Sequence, residues 1–287
     1  MVMSRCNMSL RRPTLRDVVE VLESIAPPSL AMEEHRNRLG LVVGPLHGLE
    51  EVAVERIGFS LNPSIRAIRA AVERGAQLLV VHHEYFLFPR AEDSAPVIYS
   101  YRDRVLELLR RHRLYLYAAH TNWDFAEGGN FDTLARLLGL EARPLPLKLG
   151  NLVLKKAVLA AELPRPMKLR ELAQYVKERL GLRHIAYVDG GREEVRRVAL
   201  STGGGFFVDF VVQLADLGFD VYISGELSEE AAEVAKDLGI GLIAATHYQT
   251  EYIGMVELRR RTEEELRRRG LQAETFVIDT GVPFEIT

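Results

Sequence analysis

The stretch Ala76-Gln-Leu-Leu-Val-Val-His82-His83-Glu84 decides how this chain is read: a short apolar run stops at two adjacent histidines and a carboxylate. Residues 78–81 follow Gly75 and end in two β-branched side chains, which predicts a buried strand rather than a helical turn. Strands buried on both faces belong to parallel sheets, and in open α/β sheets ligands gather where such strands end. An isolated histidine pair is ordinarily one core residue beside one exposed residue. Here the rest of the chain argues for metal ligands instead.

Two other predicted strands end the same way. Residues 114–119 run into His120-Thr-Asn-Trp-Asp124, and residues 241–246 run into His247-Tyr-Gln-Thr-Glu251. If a helix opens after Thr246, His247 and Glu251 stand at i and i+4 on one face, close enough to share an ion. The chain has 8 histidines in 287 residues, and half of them sit in these three clusters, which makes chance placement the weaker explanation. Imidazole and carboxylate without thiolate suit zinc, iron(II), manganese, cobalt or nickel rather than a cysteine-bound structural zinc. The imidazoles and carboxylates of these three clusters are more ligands than one tetrahedral ion needs, so two ions bridged by a carboxylate and a water are the economical arrangement.

The bounds agree with a globular α/β protein. At 47% hydrophobic and 27% charged residues a sizeable core is available, and the length suits one large or two modest units. Residues 1–13 carry no apolar core, and nowhere do about 18 uncharged apolar residues run together, so a cytoplasmic protein without membrane spans is expected. The single cysteine, Cys6, forms no intrachain disulfide. A net charge of -3 and a pI near 6.3 make nucleic acid an unfavourable partner. The basic runs at 259–261 and 267–269 alternate with Glu257 and 263–265, which predicts an ion-paired helix face.

Along the chain, 14–25 reads as a helix with Thr14 as N-cap and Asp17 three residues on. Residues 52–59, 63–74 capped at Asn62, and 78–81 form a strand, helix, strand unit with parallel strands. A loop over 85–100 either covers the site or packs ordinarily. A helix over 101–112, the strand 114–119 and a helix over 131–138 follow, and the lobe closes near Pro144-Leu-Pro146. The second lobe offers a strand at 152–161, a helix at 168–180, strands at 184–189 and 198–201, and then the glycine run 203–205. That run serves either as a plain tight turn or as an amide contact for a substrate phosphate. A strand at 219–224 ending in Gly225-Glu226, a helix at 227–238, a charged helix at 250–269 and a strand at 274–278 complete the order.

The segments His82-His83, His120-Thr-Asn-Trp-Asp124 with Gly128-Gly129-Asn130, Ser224-Gly225-Glu226 and His247-Tyr-Gln-Thr-Glu251 resemble, in order, the motifs of the NGG-interacting factor 3-like family. Members of that family also carry the name GTP cyclohydrolase 1 type 2 homologue. The stretch from Asn37 to Gly44 and the Gly203-Gly204-Gly205 turn extend the likeness over nearly the whole chain. The resemblance implies two similar three-layer α/β lobes with mixed sheets, residues 1–146 plus 241–287 and residues 147–240. It places a dinuclear metal site at strand carboxyl ends in the interlobe cleft. The five ligands would be His82, His83, Asp124, His247 and Glu251, with Asp124 or Glu251 bridging. His120 and Glu226 match family positions as nearby polar groups, serving as proton shuttles or supports of the ligands. A toroidal homohexamer is also implied.

The chain departs from the family pattern at Ser60-Leu-Asn-Pro63, at Ser228-Glu-Glu230, and at Glu84, where a proline is usual after the histidine pair. The ligand set is intact. The function implied is a metal-dependent hydrolase, GTP cyclohydrolase-like, in which a metal-bridged water attacks a nucleotide-like or phosphorylated small molecule. The alternative is a non-catalytic metal-handling or regulatory adaptor.

Overall fold

The computed structural model of the chain describes residues 10–84 and 95–285. Cys6 and residues 85–94 of the expected loop lie outside the described residues. The chain divides into two compact units, Met1–Ala126 with Met255–Thr280, and Glu127–Gly254 with Gly281–Thr287.

In the first unit, α1 (Leu15–Ile25) opens on a capping box: Thr14 Oγ1 accepts from the Asp17 amide while the Asp17 carboxylate accepts from the Thr14 amide. Its buried stripe is Leu15, Val18, Val21, Leu22 and Ile25. The strands β1 (Gly40–Val43), β2 (Arg56–Ser60), β3 (Leu78–Val81) and β4 (Tyr115–Ala118) join β11 (Glu274–Val277) in a five-stranded sheet of order β1-β4-β3-β2-β11. Only β1 runs antiparallel to its neighbour. The helices are α2 (Ile65–Glu73), α3 (Ala95–His112) and the short α4 (Thr121–Phe125).

Two expected boundaries moved for local reasons. The cap of α2 is Ser64, whose hydroxyl accepts from the Ala67 amide, and not Asn62, which is committed elsewhere. The helix expected from residue 101 starts at Ala95, because a proline at position 96 is tolerated in a first turn.

The second unit contains α5 (Asn130–Leu137), the long hairpin β5 (Ala142–Leu149) and β6 (Leu152–Met167), α6 (Leu169–Arg179), β7 (Ala186–Val188) and β8 (Val195–Leu200). It continues through α7 (Val208–Asp216), β9 (Val221–Ser224), α8 (Glu229–Leu238), β10 (Gly241–Ala244) and the start of α9 (His247–Arg268). Its sheet has the order β5-β6-β8-β9-β10-β7. The central strands β8, β9 and β10 are parallel, and the outer pairings are antiparallel. The fold is therefore α/β with two mixed sheets.

The unit boundaries differ from the division expected at 146/147 and 240/241. Pro144 and Pro146 do not close a lobe; they lie in β5, an edge strand of the second sheet, where a residue without an amide hydrogen is admissible. Residues 241–244 pair with β9 and β7 and so belong to the second unit. The far half of α9 carries the expected ion pairs, Arg259 with Glu263, Arg260 with Glu257 and Glu264, and Arg269 with Glu265. Among the described residues no helix is long and apolar enough to cross a membrane.

Candidate metal centre

In the first unit β2, β3 and β4 are parallel, so their carboxyl ends share one edge of the sheet. His82 and His83 leave that edge from β3, and His120 leaves it from β4. The backbone of the pair is fixed first: both amides donate to the Leu61 carbonyl, at 3.1 and 3.0 Å. The rings are fixed next. His82 Nδ1 donates to the Ala119 carbonyl at 2.8 Å, and a carbonyl can only accept, so a neutral His82 carries its lone pair on Nε2. His83 Nδ1 lies 2.7 Å from Asn62 Oδ1, which imposes the same tautomer on the second ring.

One ligand atom each from His82, His83 and His120 lies within 4.8 Å of the others. The three rings meet edge to face, with centroids 4.8, 4.9 and 5.1 Å apart. One turn beyond His120, α4 brings in Asp124, whose amide donates to the His120 carbonyl and whose Oδ1 stands 3.5 Å from His82 Nε2. Asp124 is buried, as are both histidines of the pair. Imidazoles with fixed Nδ1 partners beside a buried carboxylate are the donor set a borderline divalent ion takes, so these residues fit a metal.

Two more residues join this cluster. Glu84 is 6% exposed and sets Oε2 3.4 Å from His120 Nδ1. Burial pushes its carboxyl upward, but the His120 contact and the charges of His120 and His35 outweigh that and hold it at about 2. His35 stacks on His120 at 4.5 Å and 23°, and its Nδ1 is 3.2 Å from Thr121 Oγ1.

The second unit repeats the device. β8, β9 and β10 are parallel and end at Leu200, Ser224 and Ala244, and beyond those ends lie respectively the glycine turn, Gly225-Glu226 and His247. His247 Nε2 lies 3.0 Å from Glu251 Oε2, its i+4 neighbour on α9, and Nδ1 lies 2.8 Å from Glu226 Oε2. Burial lowers the affinity of this imidazole for a proton, but hydrogen bonds and charge from Glu251 and then Glu226 prevail and raise its pKa to about 9. Thr246, just before it, sits at φ 60°, a strained conformation for a β-branched residue and one that marks functional sites.

The glycine turn packs directly on this pair. A Cβ at Gly203 would fall 2.0 Å from Glu251 Oε1 and 3.2 Å from His247 Nε2, and its φ is +63°. Its amide donates to Thr250 Oγ1 at 3.0 Å, and its carbonyl accepts from the amides of Gly225 and Glu226. The turn thus ties β8, β9 and α9 together under the His247–Glu251 pair. Gly205 is required for a different reason, since a Cβ there would meet the buried hydroxyls of Ser201, Ser224 and Tyr222.

All seven residues singled out in the sequence lie at these strand ends: His82, His83, His120 and Asp124 in one unit, His247, Glu251 and Glu226 in the other. His120 stands within the imidazole group rather than beside it. Ser228 has no place in the cluster; its hydroxyl caps α8 by accepting from the Ala231 amide. Asn62, Glu84, His35, Gly203 and Thr250 carry roles that spacing alone does not reveal, because their partners are remote in sequence.

A family model described as Duf34/NIF3 (NGG1p interacting factor 3) matches residues 13–282. A Pseudomonas aeruginosa protein named GTP cyclohydrolase 1 type 2 homolog is 35% identical over 206 residues, covering 71% of this chain and 77% of its own length. A protein of the same name from Clostridium perfringens is 28% identical over 258 residues, covering 88% and 92%. The structure of a Bacillus cereus protein related to NIF3 superimposes with a TM-score of 0.81 over 96% of this chain and 100% of that one, at 19% identity, and so shares the fold. With a family match over nearly its whole length, the chain belongs to the Duf34/NIF3 family.

Proposed function

We propose that His82, His83, Asp124, His247 and Glu251, joined by His120, hold two divalent metal ions, and that the chain is a metal-dependent hydrolase of nucleotide-like or phosphorylated small molecules. The observation that carries this reading is the shared orientation of His82 and His83, each with Nδ1 committed to a fixed acceptor, which leaves Nε2 as the coordinating atom. The ions are drawn from zinc, iron(II), manganese, cobalt and nickel. When bound, such a pair lowers the pKa of a water and stabilises charge that develops on the oxygen under attack.

The protein supplies the rest. Asp124 and Glu251 bring buried negative charge that offsets the cations. Glu226, whose side chain is 65% exposed, holds the Nδ1 proton of His247 and exchanges it with solvent. The name shared by the curated relatives supports a nucleotide as the substrate class. A closed homo-oligomer, a hexamer by family likeness, accompanies this reading. A monomer in light scattering at micromolar concentration would remove that part of it.

The test is a panel of nucleoside triphosphates, mononucleotides and phosphoesters incubated with metal-reconstituted protein, with products separated by chromatography. Turnover that disappears in Asp124→Ala and Glu251→Ala supports the hydrolase. Tight metal binding with no turnover on any of them sinks it and leaves a metal-handling protein.

A further inference from the structure

We infer that Glu84 is a positioning residue of the first cluster: its carboxylate accepts from Nδ1–H of His120 and so fixes both the tautomer and the ring orientation of that imidazole. The inference deepens the metal reading above and rests on it for its purpose, though not for its test.

Glu84 Oε2 and His120 Nδ1 are both buried, and neither makes a hydrogen bond that meets ordinary geometry among the described residues. Leaving two such groups unpaired would be costly, and at 3.4 Å each is the other's available partner. The ring cannot swing aside to escape. His35 covers one face at 4.5 Å, anchored through Thr121, while the rings of His82 and His83 stand edge-on to it at interplanar angles of 85° and 81°. The freedom that remains is a flip about the Cβ–Cγ bond, which would turn a carbon toward Glu84 and lose the contact. Glu84 therefore selects the orientation that puts Nδ1–H on its oxygen and the lone pair on Nε2.

The three imidazoles then share one design with three different acceptors: a backbone carbonyl for His82, an amide oxygen for His83 and a carboxylate for His120. Only the carboxylate is charged. A charged acceptor orients and polarises its imidazole more strongly than a neutral one, so Glu84 governs how strongly that ring binds a cation.

The experiment uses full-length protein labelled with 15N at histidine, stripped of metal and held at about pH 8.5, where an ordinary imidazole is neutral. Two-bond 1H–15N correlations report the tautomer directly. The wild type should show His120 protonated on Nδ1. Glu84→Ala should shift it toward the Nε2–H form, and Glu84→Gln, whose amide oxygen still accepts, should keep Nδ1–H. Zinc affinity by chelator competition should fall ~10–100-fold in Glu84→Ala and less than about tenfold in Glu84→Gln.

His120 protonated on Nε2 in the wild type overturns the proposal, as does an unchanged tautomer in Glu84→Ala. If Glu84→Ala does not fold, the wild-type and Glu84→Gln spectra still decide. If the wild type binds no zinc, the metal reading fails, while the tautomer of the metal-free protein still tests the role of Glu84.

Discussion

Gly203→Ala probes the second cluster without touching a proposed ligand. The new methyl would sit 2.0 Å from Glu251 Oε1 and 2.9 Å from its Cδ, so the carboxylate must retreat by about 1 Å. Glu251 is only 4% exposed, and a close-packed interior gives it little room to do so. The backbone adds strain of its own, since φ is +63° there and a left-handed residue with a Cβ costs ~1–2 kcal/mol. The fold should survive that local cost, whereas coordination depends on where the carboxylate oxygen stands. We expect metal affinity, measured by chelator competition, to fall about 100-fold, equivalent to about 2.8 kcal/mol. Gly204→Ala is the control: a Cβ there meets Glu226 and His247 only at 3.9 and 4.0 Å, so affinity should stay within about twofold. A folded Gly203→Ala protein that binds metal like the wild type would refute the clamp.

Metal affinity should also depend on pH. With the His247 pKa raised to about 9 by its two carboxylates, the ring is protonated below that pH and must lose a proton to coordinate, so affinity should rise about tenfold per pH unit from 7 and level off near 9. Glu226→Gln removes one carboxylate and should bring the plateau to lower pH; an affinity flat from pH 7 to 9 in the wild type would contradict this. In α1, burial raises the Asp17 pKa, but hydrogen bonds from Arg11 and from the Thr14 amide and hydroxyl bring it from 3.8 to about 2. Because the folded value is the lower one, its contribution is present above 3.8 and is lost as pH falls toward 2. Asp17→Ala should cost about 1 kcal/mol in urea unfolding at neutral pH, and this loss should shrink over that acid window.

What the sequence made legible follows from what is local. The strand at 78–81 needed only its apolar run and its glycine, and the α1 cap needed only Thr14 and Asp17 three residues apart. His247 and Glu251 were readable as a pair because a helix sets the i, i+4 spacing. The hairpin strand β5 was missed because Pro144 and Pro146 read as a stop; its place at a sheet edge, which makes them harmless, is a tertiary fact. The compact units divide elsewhere than at 240/241, since β10 pairs with β9 and β7. The glycine turn showed that side chains were excluded there, but not that Glu251 and His247 exclude them. Asn62 read as a helix cap, being next to a proline, yet its side chain holds His83, 21 residues away. Glu84 stood in plain view beside the histidine pair. Its partner His120 comes from the next strand, and no spacing rule links the two.

Elemental analysis reads metal binding by these clusters without any assumption about substrate. Wild type, His82→Ala, Asp124→Ala, His247→Ala and Glu251→Ala would be stripped, reconstituted identically with one divalent metal, desalted and measured for metal per chain. About two ions are expected in the wild type, with occupancy reduced in every variant and most of all where the lost carboxylate bridges. Full metal content in both Asp124→Ala and Glu251→Ala, or a folded wild type that retains none, would contradict it.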